Sequence, residues 1–149
     1  MAKGLSYGSR RLERKKVQEM IPSIFFKRSE FACKCGCGFD TVDAELLAVL
    51  DDIRIHFQFP TIVNSGCRCT KHNKKVKKIF SSLKNLLKKP KRPSQHELAK
   101  AADIWVKGIP ANKVADYLEK KYPRQYGIGR YKGRTHIDVR EGCARWDNR

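Results

Sequence analysis

Three residues in this chain have the types and the order to hold a metal ion. They are His96 in "SQHELAKAADIWV", Asp103 seven positions later, and His136 in "THIDVR". Two imidazole nitrogens and one carboxylate oxygen are three ligands of a tetrahedral zinc ion. Its fourth position stays open for water or substrate, as in catalytic rather than structural sites. The same residue types also serve as ordinary hydrogen-bonded side chains, and the spacing alone does not separate the two. Asp138, two residues after His136, falls on the same face of a strand as that histidine. It is a candidate general base, or a partner that orients the imidazole, and both readings stay open.

The elements that must position these groups can be read from periodicity. "AADIWV" is a buried strand that begins at Asp103's doorstep, and "YGIGRYKGRTHIDVR" reads as a hairpin whose second strand delivers His136. "TVDAELLAVLDDIRIHF" is the clearest helix, with Leu46, Val49, Leu50, Ile53 and Phe57 at helical spacing and Thr41 or Asp43 as cap. "PTIVNSG" is a short strand after the break at Pro60, and "IPANKVADYLEKKY" is a helix with Pro110 near its start and Val114, Tyr117 and Leu118 on one face. Helices and strands do not alternate as βαβ units, which predicts an α+β domain with an antiparallel sheet and flanking helices. Trp105 is expected in the core beside Asp103, and Trp146 as closing the core at the C-terminus. His56 is expected on the exposed or boundary side of its helix.

The chain has 149 residues, enough for one domain with a real core, and 40% of them are hydrophobic. Lys and Arg number 33 against 15 acidic residues, a net charge of +18, which points to a polyanionic partner. The basic residues concentrate in an arm over residues 1–24 and in an insert over about 74–93 of the remaining domain, 25–149. Lys71 to Pro93 carries ten Lys and Arg and no acidic residue, threaded with Val76, Ile79, Phe80, Leu83, Leu86 and Leu87. That is the pattern of a basic amphipathic helix closed by prolines, which either binds an anionic surface or packs its apolar stripe on the domain. No apolar run is long enough to span a bilayer, and the basic start has no apolar stretch of a secretory signal behind it. The expectation is a protein made in a cytoplasm and acting elsewhere only after release.

Six cysteines stand as "CKCGC" (Cys33, Cys35, Cys37), "CRC" (Cys67, Cys69) and Cys143. Structural zinc sites usually show Cys-x2-Cys pairs, and none is present. The favoured expectation is therefore small buried residues around tight glycine turns, with a second, cysteine-bound zinc as the lesser alternative.

Several segments, in order, resemble one family. "SQHELAKAAD" is similar to the Ser-x-His-x-x-Gly-x-Ala-x-Asp signature of the zinc D-Ala-D-Ala carboxypeptidase family, which has the hedgehog/D-Ala-D-Ala-peptidase fold. "THIDVR" resembles the His-x-Asp-x-Arg ending of the branch found in phage endolysins and murein endopeptidases. "VNSGCRC" with its following "HN", the cysteine-glycine opening "FACKCGCGFD" with the first helix, "YGIGRY" and the final "CARW" match that branch too, from about Phe25 to Trp146. The resemblance implies a single zinc ion on His96, Asp103 and His136. It implies a substrate contact at Arg68, whose guanidinium can hold a carboxylate or a developing oxyanion, with Ser65, His72 and Tyr131 as candidate groove residues. Tyr126 is a weaker groove candidate.

Three departures bear on mechanism. The signature's glycine is Ala99, which is tolerable if its φ is negative and a small strain if not. Arg134 and Gly133 occupy positions where other branches carry a base, leaving Asp138 as the nearest carboxylate. The basic insert replaces a short turn just before His96. The implied function is a zinc metallopeptidase, a hydrolase cutting peptidoglycan stem peptides in cell-wall degradation. The implied setting is bacteriophage lysis, from the host cytoplasm or the virion. The insert would be directed to anionic wall polymer or lipopolysaccharide. The alternatives are a non-catalytic zinc-stabilised binding or virion-assembly protein and, with only basic charge in support, a nucleic-acid-binding protein.

Overall fold

The computed structural model describes residues 23–80 and 92–149, so the basic arm and most of the basic insert lie outside the described residues. The fold is α+β. Five strands, β1 (Thr61–Ser65), β2 (Ala101–Val106), β3 (Tyr126–Tyr131), β4 (Arg134–Asp138) and β5 (Cys143–Asn148), form one sheet in the order β1-β2-β4-β3-β5. Helices α1 (Ala44–Phe57) and α3 (Ala111–Lys121) supply the core's helical side, while α2 (Thr70–Phe80) follows β1 directly.

Period-two alternation divides the sheet into two faces. Ala102, Ile104 and Val106 of β2, Ile128 of β3 and Ile137 of β4 enter the core. There they meet Leu46, Val49, Leu50 and Ile53 of α1 and Val114, Ala115 and Leu118 of α3. The α1 residues recur at helical spacing and make one apolar stripe. Asp43 caps that helix by accepting from the Glu45 N–H at 2.9 Å, and Gln58 ends it in the left-handed region. Each fully buried Leu or Ile contributes about 1.5–3 kcal/mol of transfer free energy. Tyr117 of α3 donates to Asp52 of α1 at 2.7 Å, with Lys121 on the same carboxylate, and His56, exposed as expected, stacks on the Tyr117 ring.

Four of the expectations need correction. The sheet is mixed rather than wholly antiparallel, because β5 pairs β3 in parallel. Both edges of β4 are already taken, by β2 and β3. The chain reversing after β4 pairs at β3's outer edge, where its direction matches β3. Trp105 is not core: the inward positions of β2 are the even-numbered ones, and Trp105 is 39% exposed on the opposite face. Trp146 lies on that same opposite face, beside His136, instead of closing the core. Among the cysteines only Cys33 and Cys67 are buried, while Cys35, Cys37 and Cys143 are exposed.

The basic helix begins as expected, at Thr70, with Lys71, Lys74, Lys75, Lys77 and Lys78 exposed; its course beyond Phe80 lies outside the described residues. Ala99 has φ +56, so the strained alternative holds, and the left-handed backbone costs roughly 1–2 kcal/mol there. No described helix is long and apolar enough to cross a membrane.

The two glycines of "YGIGRY" are explained by close approach. A Cβ on Gly129 would fall on the Trp146 indole, and one on Gly127 would fall on the Asp138 carboxylate. Asp138 is fully buried and cannot retreat. Gly127→Ala is therefore expected to destabilise the fold by about 1–3 kcal/mol, the usual cost of overpacking, in urea unfolding monitored by circular dichroism. A neutral result would contradict the β3–β4 register.

Candidate metal centre

A single rung across the sheet assembles most of the site. Ser65 on β1 pairs with Asp103 on β2, Asp103 with His136 on β4, His136 with Gly129 on β3, and Gly129 with Trp146 on β5. An irregularity between Val63 and Ser65 skips Asn64 and turns Ser65 into this rung. Directly opposed residues on one face have Cβ atoms about 4.5–5.5 Å apart, which brings an imidazole and a carboxylate into contact without any loop.

His96 arrives from outside the sheet on a turn that builds its own cap. The Ser94 N–H donates to Glu97 Oε2 at 2.7 Å, and the Glu97 N–H donates to Ser94 Oγ at 3.4 Å, a reciprocal capping box. Buried Asn73 of α2 donates to Ser94 Oγ at 3.0 Å and ties this turn to the helix. These bonds explain Ser94, Glu97 and the Asn73 of the earlier "HN".

The donor set fits a zinc ion. His96 Nδ1 donates to the Gly66 carbonyl at 2.6 Å. A carbonyl can only accept, so the neutral ring presents the Nε2 lone pair, 3.5 Å from Asp103 Oδ2. His136 Nε2 faces Asp138 Oδ2 at 2.8 Å, while His136 Nδ1 faces Asp103 Oδ1 at 2.9 Å. With its one proton on the Asp138 side, a neutral His136 would turn a lone pair onto a carboxylate oxygen. Two acceptors at that distance need a cation between them, either a second proton or a metal. One ligand atom from each of His96, Asp103 and His136 lies within 4.8 Å of the others, and all three residues are buried.

Charges around the ligands follow from this geometry. Burial pushes the Asp103 carboxyl up, but its hydrogen bonds and attraction to His136 and His96 prevail and hold it well below the usual carboxylate range. Burial likewise opposes ionisation of Asp138. The Arg140 fork, at 2.7 and 2.6 Å, and His136 outweigh it and keep this carboxyl far below its ordinary value. Burial disfavours a charged His136, yet the two carboxylates raise its pKa overall.

The remaining candidates are distributed around this centre. Arg68 is fixed from two sides, with Nε donating to Ser65 Oγ at 2.9 Å and Nη2 to Asp103 Oδ2 at 2.8 Å. Tyr131 accepts from Trp146 Nε1 at 3.0 Å. His72 is half-buried at the start of α2 and is not part of the ligand cluster. Tyr126 is turned away, its hydroxyl donating to Glu45 at 3.0 Å. Two participants were not assigned from sequence. Arg140 holds Asp138, and Trp146 lies between the His136 ring, 5.0 Å away, and the Arg140 guanidinium, 5.4 Å away. Their signal was present in "HIDVR" and "GIG", where an unexplained arginine and two side-chain-free positions mark a crowded site.

A proton held on both sides of His136 competes with metal. Zinc affinity of the metal-free protein is therefore expected to climb as pH rises through a range above the usual imidazole value of about 6.5. Competition titrations against a chromophoric chelator between about pH 6 and 8.5 check this; a flat affinity would contradict the raised pKa.

The chain matches the family model described as Peptidase M15 over residues 24–83 and 89–138, a span that contains His96, Asp103 and His136 and breaks only inside the basic insert. No curated protein and no solved structure gives a significant match. With the model covering most of the chain, and two imidazoles and a carboxylate converging in one buried cluster able to hold a metal, this chain belongs to the Peptidase M15 family, the zinc D-Ala-D-Ala carboxypeptidase family.

Proposed function

We propose that this zinc peptidase hydrolyses amide bonds in the stem peptides of bacterial peptidoglycan, as a phage-type endolysin or a murein D,D-endopeptidase or carboxypeptidase. The observation that carries the proposal is the pair of ring nitrogens, His96 Nε2 and His136 Nδ1, left facing Asp103 once Gly66 and Asp138 have taken the other two. These three residues would hold the metal. Zinc bound there supplies a Lewis acid and a water acidified toward a pKa of about 7.

The side chains do the rest. Ser65 and Asp103 fix the Arg68 fork in advance, so a substrate carboxylate or developing oxyanion meets a guanidinium that needs no reorganisation. Asp138 sits on the far side of His136 from Asp103, fully buried, with both oxygens engaged by Arg140 and one also by His136. That placement supports an orienting role, fixing the tautomer and rotation of His136, over service as the general base. Tyr131 and Trp146 form a wall next to His136. The exposed lysines of α2 begin directly after Arg68 and Cys69 and are proposed to draw the enzyme to anionic wall polymer or lipopolysaccharide. Release from the host cytoplasm at lysis, or carriage in the virion, is the setting proposed.

The direct test incubates intact peptidoglycan with protein as purified, after chelation, and after zinc replacement, and reads released peptides by mass spectrometry. New termini that vanish on chelation and return with zinc are expected, and their masses name the bond. Zinc-loaded protein that releases no peptide from any wall type would overturn the proposal. Asp138→Asn separates the two roles of that residue. An orienting carboxylate predicts zinc affinity weakened roughly 10–100-fold and partial activity at saturating zinc. A base predicts unchanged zinc affinity and no turnover.

A further inference from the structure

Away from the His/Asp/His centre, four cysteines converge. The sulfurs of Cys33, Cys35, Cys37 and Cys69 all lie within 4.8 Å of one another. We infer that they form a second, closed metal site that binds one thiophilic divalent cation, zinc by preference, as a structural clasp.

The distances decide between the ways sulfurs can meet. Cys33 and Cys35 Sγ are 3.4 Å apart, and Cys35 and Cys69 Sγ are 3.6 Å apart. A disulfide needs about 2.05 Å. Thiolates at about 2.3 Å around a tetrahedral zinc ion lie about 3.8 Å from each other, close to what is seen. All six cysteines are free.

The backbone is arranged for the same purpose. The Gly36 N–H donates to the Cys33 carbonyl at 3.2 Å, and the Cys33 N–H donates to the Phe39 carbonyl at 2.7 Å. Together they close a tight loop in which Gly36 and Gly38 have φ of +74 and +83. That curvature brings the alternate cysteines of Cys-x-Cys-x-Cys to one side, so a single loop supplies three ligands without the Cys-x2-Cys spacing. Two amides are aimed at sulfur: Cys69 N–H to Cys33 Sγ at 3.3 Å and His72 N–H to Cys69 Sγ at 3.4 Å. Such donors favour thiolates over thiols. Cys67, though close in sequence, is excluded, because its thiol donates to the Phe39 carbonyl at 3.1 Å.

The clasp would act on the candidate active site through one residue. Three consecutive amides, of Cys67, Arg68 and Cys69, bond to the Phe31 carbonyl, the His96 carbonyl and the Cys33 sulfur. A cation binding Cys69 to the loop at residues 33–37 therefore fixes the backbone that carries Arg68. Four protein ligands leave no open position, so the role is structural rather than catalytic.

The test uses the full chain purified without chelator from zinc-supplemented cells. Elemental analysis is expected to find about two zinc ions per chain. Cys35→Ser/Cys37→Ser should lose about one of them and His96→Ala about one, from different sites. Cobalt replacement reads the ligands even if a variant fails to fold. The wild type should show an intense thiolate-to-cobalt charge-transfer band in the near ultraviolet, retained in His96→Ala. Absence of that band in the cobalt-loaded wild type, or intact-mass evidence that two of the four cysteines are joined as a disulfide in fresh protein, would overturn the inference. Neither result touches the His/Asp/His centre, which holds no sulfur.

Discussion

The register between β2 and β4 is the constraint on which the rest depends. It sets Asp103 opposite His136 and, by alternation, sends Ile104 and Ile137 into the core on the other face. A slip of one residue would exchange the two sets, burying charges against α1 and α3 and exposing isoleucines. Hydrophobic burial on one side of the sheet thus holds the candidate ligands Asp103 and His136 on the other in place. Of the three candidate metal ligands only His96 comes from outside the sheet, and its turn carries its own capping box and its own tie to α2.

The centre also shows how a chain with a large excess of positive charge keeps two carboxylates buried. Each carboxylate is answered by an arginine and shares the same imidazole: Asp103 has Arg68, and Asp138 has Arg140. Removing one member would leave the opposite charge buried without its partner, which is why these residues form a unit and not a set of separate contacts. Trp146 and Arg140 cover the His136 side, and the glycines of β3 exist to let the indole and the Asp138 carboxylate approach.

Much of this was legible in the sequence. The helices, the hairpin and the β2 strand follow from periodicity and turn residues, and the three candidate ligands that converge follow from motifs whose order is more specific than any one spacing. Three things resisted for physical reasons. "CARWDN" lacks a clean apolar alternation, since β5 is an edge strand that packs one face on the site. Its parallel pairing follows from which edges are free, a property of the assembled sheet. Trp105 reads as core because it sits in an apolar run, yet strand parity depends on the neighbour across the sheet. A cysteine-bound metal stood only as the lesser expectation, because a curled glycine loop does not obey the spacing rules of the commoner zinc knuckles.

The central claim is that His96 Nε2, Asp103 and His136 Nδ1 hold the zinc while Asp138 steadies His136 from behind. Zinc-edge anomalous diffraction from crystals of the zinc-loaded protein tests it most directly. The expected result is a peak bonded at about 2.0–2.2 Å to those three groups, with Asp138 still on His136 Nε2. A zinc ion bound instead through His136 Nε2 and Asp138, or no peak among the three residues, would contradict it.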